Sequence, residues 1–69
     1  MKYDFTGVTE IRHDRERRRV ELVANGERKT IEGVDRLYLK SAGWVEPDGT
    51  AHLNRGRVSV GNGEVVAGD

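Results

Sequence analysis

The stretch RRRVELVANGERKTIE, residues 17–32, is the one around which the chain is organised, because two half-apolar runs flank an Asn25-Gly26 pair. Such a pair between alternating runs is a strong signal for a β-hairpin. A two-residue type I′ loop needs positive φ at both central positions, which glycine adopts freely and asparagine tolerates. The loop sets a register of facing pairs: Ala24 with Glu27, Val23 with Arg28, Leu22 with Lys29, Glu21 with Thr30, Val20 with Ile31, and Arg19 with Glu32.

This register predicts a two-faced hairpin, because side chains alternate between the faces of a strand. Val20, Leu22 and Ile31 fall on one face. The charged pair Arg19 and Glu32 falls on the other. The hairpin has a small apolar face of its own, so we expect the other strands to be added around it.

Residues 3–12, YDFTGVTEIR, alternate like a strand that precedes the hairpin. Four side chains are predicted on its inner side: Tyr3, Phe5, Thr9 and Ile11. Gly7 interrupts that side and predicts a bulge or a bend. We expect three pairs with the next strand, Ile11 with Val20, Thr9 with Leu22 and Gly7 with Ala24. Residues 14–17 then form a four-residue connection at the tip.

Residues 34–40 allow two interpretations. Val34, Leu37 and Tyr38 have the spacing of a short helix, whereas Leu37 and Leu39 alternate with polar residues as in a strand. The segment is short and lies among strand signals. We therefore favour a strand, and one short helical turn is compatible with either interpretation.

The C-terminal third predicts further short strands separated by turns. Residues 46–49, EPDG, have the composition of a tight turn, and residues 54–56 and 61–63 predict two more. We expect the last three residues, 67–69, to be frayed. The whole chain thus predicts an all-β meander of about six short antiparallel strands, closing as an SH3-like barrel or a small sandwich.

The length limits the chain to a single small domain, residues 1–69, with a marginal core. A chain of this size buries only about 60% of the surface that its unfolded form exposes. It contains no cysteine for disulfides. We therefore expect further burial from a partner or from self-association, and favour a homo-oligomer slightly over a monomer.

The charge balance argues against a generic nucleic-acid binder, because 12 basic residues face 12 acidic ones and the formal net charge is +0. No apolar stretch is long enough to span a membrane or to form a signal-peptide core. We expect no membrane association and a cytoplasmic location.

Catalytic and metal-binding patterns are weak in this sequence. His13 and His52 are the only imidazoles and are far apart in the chain, so a zinc site would need them to converge with carboxylates. No serine lies in a nucleophile-elbow pattern. We expect neither enzymatic activity nor a metal or cofactor.

The candidate binding residues are basic and aromatic: Arg12, Arg15, Arg17, Arg18, Arg19, Tyr38 and Trp44. Aromatic residues and arginine dominate protein-binding surfaces, which favours a protein partner and a role as a small accessory regulator or inhibitor. The alternative is a nucleic-acid-binding barrel that grips phosphates with the cluster at residues 12–19. Two simpler interpretations remain beside these: the arginines form a solvated, ion-paired edge, and Trp44 belongs to the core.

Overall fold

The computed structural model describes residues 2–41 and 43–68, which form seven strands. They are β1 (Lys2–Asp14), β2 (Arg19–Ala24), β3 (Glu27–Glu32), β4 (Arg36–Leu39), β5 (Trp44–Val45), β6 (Ala51–Gly61) and β7 (Glu64–Ala67). Their order in the sheet is β3-β2-β1-β6-β7-β4, and β5 pairs with β6. The prediction of a small all-β domain is confirmed, although the strands do not close into a barrel. In the ambiguous segment the strand is confirmed at Arg36–Leu39.

Two long strands, β1 and β6, link the two halves of the sheet, because each of them belongs to both halves. We call these halves the first and the second half-sheet. The C-terminal part of β1 pairs with β2 on one side and with Ala51 and His52 of β6 on the other. This first half-sheet has the order β3-β2-β1-β6-β5. Residues 2–5 of β1 pair with the far end of β6, which in turn pairs with β7 and then β4. That is the second half-sheet.

The bend in β1 lies at Gly7, as the sequence predicts. Gly7 has φ of 67°, and a Cβ there would collide with the side-chain amide of Asn25. The backbone N–H of Asn25 donates to the Gly7 carbonyl at 3.1 Å. Register shifts on either side of Val8 turn that side chain into the core at 0% exposure, whereas Thr9 is exposed. The predicted inward position of Thr9 is therefore wrong.

The bend in β6 lies at residues 54–56, where the sequence predicted a turn between two strands. The structure has one continuous strand, Ala51–Gly61, in which Arg55 adopts φ of 52°. Opposite this irregularity, Val8 of β1 faces Gly56 and Glu10 faces His52. The extra residues of β6 are thus absorbed as a bulge, which lets one strand serve both half-sheets.

The central hairpin has the predicted register in all six pairs, from Ala24 with Glu27 to Arg19 with Glu32. Asn25 and Gly26 have φ of 53° and 80°, as a type I′ loop requires. The other predicted turns at residues 46–49 and 61–63 also join neighbouring strands. Fraying at residues 67 and 68 is wrong, because Ala67 is fully buried and Gly68 donates to the Arg57 carbonyl at 2.8 Å. Asp69 lies outside the described residues.

The register between β1 and β2 differs from the predicted one by two residues. Ile11 faces Leu22 and His13 faces Val20, so residues 15–18 form the connection. A shift of two residues keeps the same face inside, so the apolar pattern cannot distinguish the two registers. As a result His13 lies half-buried, with its Nε2 3.0 Å from the Val34 carbonyl.

One pair of strands is parallel, contrary to the predicted antiparallel meander: β4 runs beside β7. The chain reaches this position along residues 33–35, which cross one end of the sheet. Val34 donates to the Arg18 carbonyl and Asp35 donates to the Gly63 carbonyl, each at 2.8 Å. Val34 is thereby placed in the core, whose buried members are Val8, Ile11, Val20, Leu22, Ala24, Ile31, Val34, Ala51, Leu53, Val58, Val60, Val65 and Ala67. In the described part of the chain, no helix is long and apolar enough to cross a membrane.

Candidate functional site

The arginine cluster does not form one surface, because two of its members at the β1–β2 tip are tied to carboxylates. Arg18 makes a two-pronged ion pair with Asp35, Nε to Oδ1 at 2.6 Å and Nη2 to Oδ2 at 3.1 Å. These bonds lower the pKa of the Asp35 carboxyl below its ordinary value. Arg19 lies with its Nε 3.4 Å from Glu32. Both arginines therefore lie beside carboxylates of this chain at the surface, where such pairs add little to stability.

The remaining arginines of the cluster lie apart. Arg15 and Arg17 are exposed in the tip, and in the described part of the chain neither guanidinium group lies within 4.0 Å of a carboxylate, although the Arg17 backbone N–H donates to Asp14 Oδ1 at 3.2 Å. Arg12 does not belong to the tip at all: it faces Glu21 across the first half-sheet. The arginines of the predicted cluster at residues 12–19 thus lie in three different environments.

Tyr38 lies on the second half-sheet, in β4 and beside Val66 of β7. It is 43% exposed, and its hydroxyl oxygen accepts from Arg36 Nη1 at 3.5 Å. Trp44 lies on β5 of the first half-sheet. The two predicted aromatic anchors are therefore on different half-sheets.

Trp44 is 57% exposed, so the interpretation that placed it in the core is wrong. Its indole ring stacks on the His52 imidazole, with centroids 4.0 Å apart and an angle of 11° between the planes. His52 is held in turn by Glu46, whose Oε2 lies 2.7 Å from Nε2, and Glu10 lies 3.7 Å from Nδ1. The next residue, Val45, is 51% exposed. Trp44 is thus exposed and supported on one face by the His52 ring.

The hairpin between β5 and β6 gives Trp44 this position. Its turn is closed by bonds from Glu46 N to the Thr50 carbonyl at 2.8 Å and from Gly49 N to the Glu46 carbonyl at 2.9 Å. The Asp48 carboxylate accepts from the Thr50 N–H at 3.0 Å, which lowers the Asp48 pKa. β5 has only two residues and lies at a sheet edge, and within residues 2–41 and 43–68 its one strand partner is β6.

An open groove of about 220 Å³ lies on the outer face of the first half-sheet. Its lining is mostly charged and consists of Glu10, Ile11, Arg12, Glu21, Leu22, Val23, Arg28, Glu46 and Thr50. The strand pairings place Trp44, His52, Glu10, Val23 and Arg28 in one row across five strands, which we call the outer row. The groove and the Trp44–His52 stack therefore share one face.

Sequence reasoning missed the acidic members of this groove and Arg28. The hairpin register already placed Glu21 on the outer face, but only the pairing of β1 with β6 brings Glu10 beside His52. That pairing joins residues about forty positions apart across two bends. No local pattern in the sequence reports it.

The two histidines have separate surroundings, since His13 bonds to Val34 and His52 bonds to Glu46. Within residues 2–41 and 43–68, no group of three or more His, Asp or Glu side chains is arranged to hold a metal ion. The groove offers carboxylates and guanidinium groups, and an exposed indole lies on the same face. These are recognition groups for a polar or cationic surface. No family model matches this chain, and neither a curated protein nor a solved structure matches it.

Proposed function

We propose that this protein is a non-catalytic interaction module that binds a protein partner through Trp44 of the β5–β6 hairpin. The observation that carries the proposal is that Trp44 is 57% exposed while its ring is stacked on His52 at 4.0 Å. An exposed tryptophan is costly to leave in water, and the ring of this one is also supported by the His52 ring. Both properties are those of a binding anchor.

Fixing the ring in advance favours binding for an entropic reason. A mobile side chain loses rotamer freedom when a partner covers it, at about 0.5–1.5 kcal/mol per side chain. The His52 ring and its 2.7 Å contact with Glu46 restrict Trp44 before any partner arrives. Val45, the next residue, points to the other face of the sheet, because it pairs with the buried Ala51. The hairpin thus combines a large apolar contact with a low ordering cost.

The wider role we propose is that of a small cytoplasmic accessory regulator or inhibitor, which acts by covering part of its partner's surface. Self-association through the same hairpin is included in this proposal, because two copies would also cover Trp44. Sedimentation of the wild type and of Trp44→Ala separates the two cases. A homo-oligomer that uses this surface dissociates on the substitution, whereas a monomer keeps its mass.

A displayed library of random dodecapeptides tests the proposal. Peptides selected on the wild-type protein are measured against Trp44→Ala and against the matched control Tyr38→Ala, an exposed aromatic on the other half-sheet. We expect Trp44→Ala to weaken binding at least tenfold, as loss of a hot-spot tryptophan does, and Tyr38→Ala to leave it unchanged. Peptides that bind Trp44→Ala as well as they bind the wild type would contradict the proposal.

Nucleic-acid binding is the second candidate, and the observation in its favour is the exposed pair Arg15 and Arg17. Two phosphate contacts give weak, salt-dependent binding. The test is retention of a twenty-nucleotide single strand by the wild type and by the double variant Arg15→Gln/Arg17→Gln. Retention that falls with salt in the wild type and is lost in the variant would favour this candidate, and equal retention by both proteins excludes it.

A further inference from the structure

Several charged side chains of the groove are unpaired, as Arg15 and Arg17 of the tip also are. Outside the groove, opposite charges meet in Arg18–Asp35 and Arg57–Asp4, both at 2.6 Å. Inside it, Arg12 and Glu21 face each other on neighbouring strands, yet among the described residues neither lies within 4.0 Å of an opposite charge. The same holds for Arg28. These groups keep their hydrogen-bonding capacity for a ligand.

The charges are also ordered along the outer row. At the Trp44 end, Glu10 and Glu46 both lie against His52 and are only half exposed. At the other end, Arg28 on β3 is exposed and carries the opposite sign. Val23 lies between the two ends and gives an apolar floor. The outer row therefore runs from an acidic end next to an exposed indole to a basic end three strands away, while Arg12 and Glu21 in the neighbouring row carry the opposite order of charge.

We infer that the groove binds an extended peptide segment of the protein partner that carries one basic and one acidic side chain. The basic group faces Glu10 and Glu46, where the Trp44 ring adds cation–π attraction. The acidic group faces Arg28, whose guanidinium can hold a carboxylate by two parallel hydrogen bonds. This inference rests on the proposed function, since it specifies the chemistry of the segment that Trp44 anchors.

The strand spacing sets the separation of the two charges in the peptide. Neighbouring strands lie about 4.8 Å apart, so three spacings from His52 to Arg28 span about 14 Å. An extended peptide rises about 3.4 Å per residue, so this span corresponds to about four residues. Side chains four positions apart in an extended peptide point to the same side. A basic and an acidic residue at positions i and i+4 can therefore face the groove together.

The experiment uses the same displayed dodecapeptide library and adds a charge reversal in the groove. We expect peptides that depend on Trp44 to be enriched in a basic and an acidic residue four positions apart. Replacing the peptide's acidic residue by lysine should weaken binding to the wild type at least tenfold. The variant Arg28→Glu should reverse this preference and bind the lysine peptide better. The matched control is Arg15→Glu, which makes the same charge change at the tip.

The outcomes separate this inference from the function on which it rests. Reversal of the peptide preference by Arg28→Glu, with no reversal by Arg15→Glu, supports the charge pattern of the groove. Peptides that need Trp44 but bind the wild type and Arg28→Glu with the same preference overturn the inference and leave the proposed function standing. An equal effect of Arg15→Glu also overturns it, because net charge alone would then explain the result. Peptides indifferent to Trp44→Ala overturn both.

Discussion

The tip of the β1–β2 hairpin and the β5–β6 hairpin each carry residues that the sequence singles out, and the fold uses them in opposite ways. At the tip, Arg18 is bonded to Asp35 at 2.6 Å, and its carbonyl accepts from the buried Val34. At the β5–β6 hairpin, Trp44 is supported by His52 but is left exposed. The tip thus helps to join distant parts of the chain, whereas the β5–β6 hairpin exposes a side chain to solvent.

The difference shows that residue type alone does not identify a binding surface. An arginine run predicts phosphate binding only when its guanidinium groups are unpaired and lie together. A single tryptophan lies in the core only when a strand of the fold covers it. At both places the deciding facts are long-range: residues 33–35 cross the end of the sheet at the tip, and β5 stops after two residues at an edge.

We expect the largest loss of stability when Gly7 is replaced, because the bend at Gly7 lets β1 belong to both half-sheets. Gly7→Ala adds a Cβ in a left-handed conformation and pushes it into the Asn25 amide. We expect it to lower the free energy of unfolding by about 3 kcal/mol, combining backbone strain with overpacking. The measurement is urea unfolding followed by circular dichroism.

Gly26→Ala is the matched control, since Gly26 also has positive φ but a Cβ there meets nothing within 4 Å. We expect it to cost about 1 kcal/mol, from backbone strain alone. Equal losses at the two glycines would mean that the contact with Asn25 contributes nothing to the bend.

The same substitution in the two regions gives the second test. Val34 at the tip is 1% exposed and Val45 of the hairpin is 51% exposed. Val34→Ala removes two buried methyl groups and leaves a cavity, so we expect a loss of about 2 kcal/mol in the free energy of unfolding. Val45→Ala should cost less than about 0.5 kcal/mol. Similar losses of stability at both positions would contradict the view that the tip stabilises the fold while the β5–β6 hairpin only exposes its side chains.

The sequence predicts the parts of this fold that depend on local chemistry. Asn25-Gly26 sets the hairpin register because a type I′ loop admits one pairing, and all six pairs are confirmed. The turn at residues 46–49 and the Gly7 bend follow from glycine and proline in the same way. Each of these depends on residues within a few positions of one another.

The sequence does not predict the features that depend on distant pairings. The β1–β2 register is two residues off because both alternatives bury the same face. The parallel pairing of β4 with β7 depends on the path of residues 33–35. Of the candidate site, Trp44 is named by its residue type, but its exposure and its neighbours Glu10 and His52 follow from the bends in β1 and β6.

The two histidines give a third test, with a smaller effect. His13 supports the tip through its 3.0 Å bond to the Val34 carbonyl, so His13→Ala should lower the free energy of unfolding by about 1 kcal/mol. His52→Ala removes the ring on which Trp44 stacks. We expect it to increase the mobility of Trp44, seen as lower steady-state fluorescence anisotropy. His13→Ala should leave that anisotropy unchanged, and a decrease in both variants would contradict the local role of His52.

The smallest effect concerns pH and the ion pair at the tip. The hydrogen bonds from Arg18 hold the Asp35 pKa below its ordinary value of 3.8. A carboxyl whose pKa is lower in the folded state stabilises the fold above its unfolded pKa, and this contribution is lost as the pH falls through the folded pKa. The stability difference between wild type and Asp35→Asn should therefore be largest near neutral pH and shrink on acidification below about pH 4.

Urea unfolding between pH 2.5 and pH 7 measures this difference. The control is Arg18→Gln, in which the cation that lowers the Asp35 pKa is absent, so adding Asp35→Asn should change the pH dependence little. Because both side chains are more than half exposed, salt screens the pair, and 1 M NaCl should reduce the difference further. If the difference between wild type and Asp35→Asn stays constant with pH, Asp35 acts at the tip through packing or its hydrogen bonds, independently of its charge.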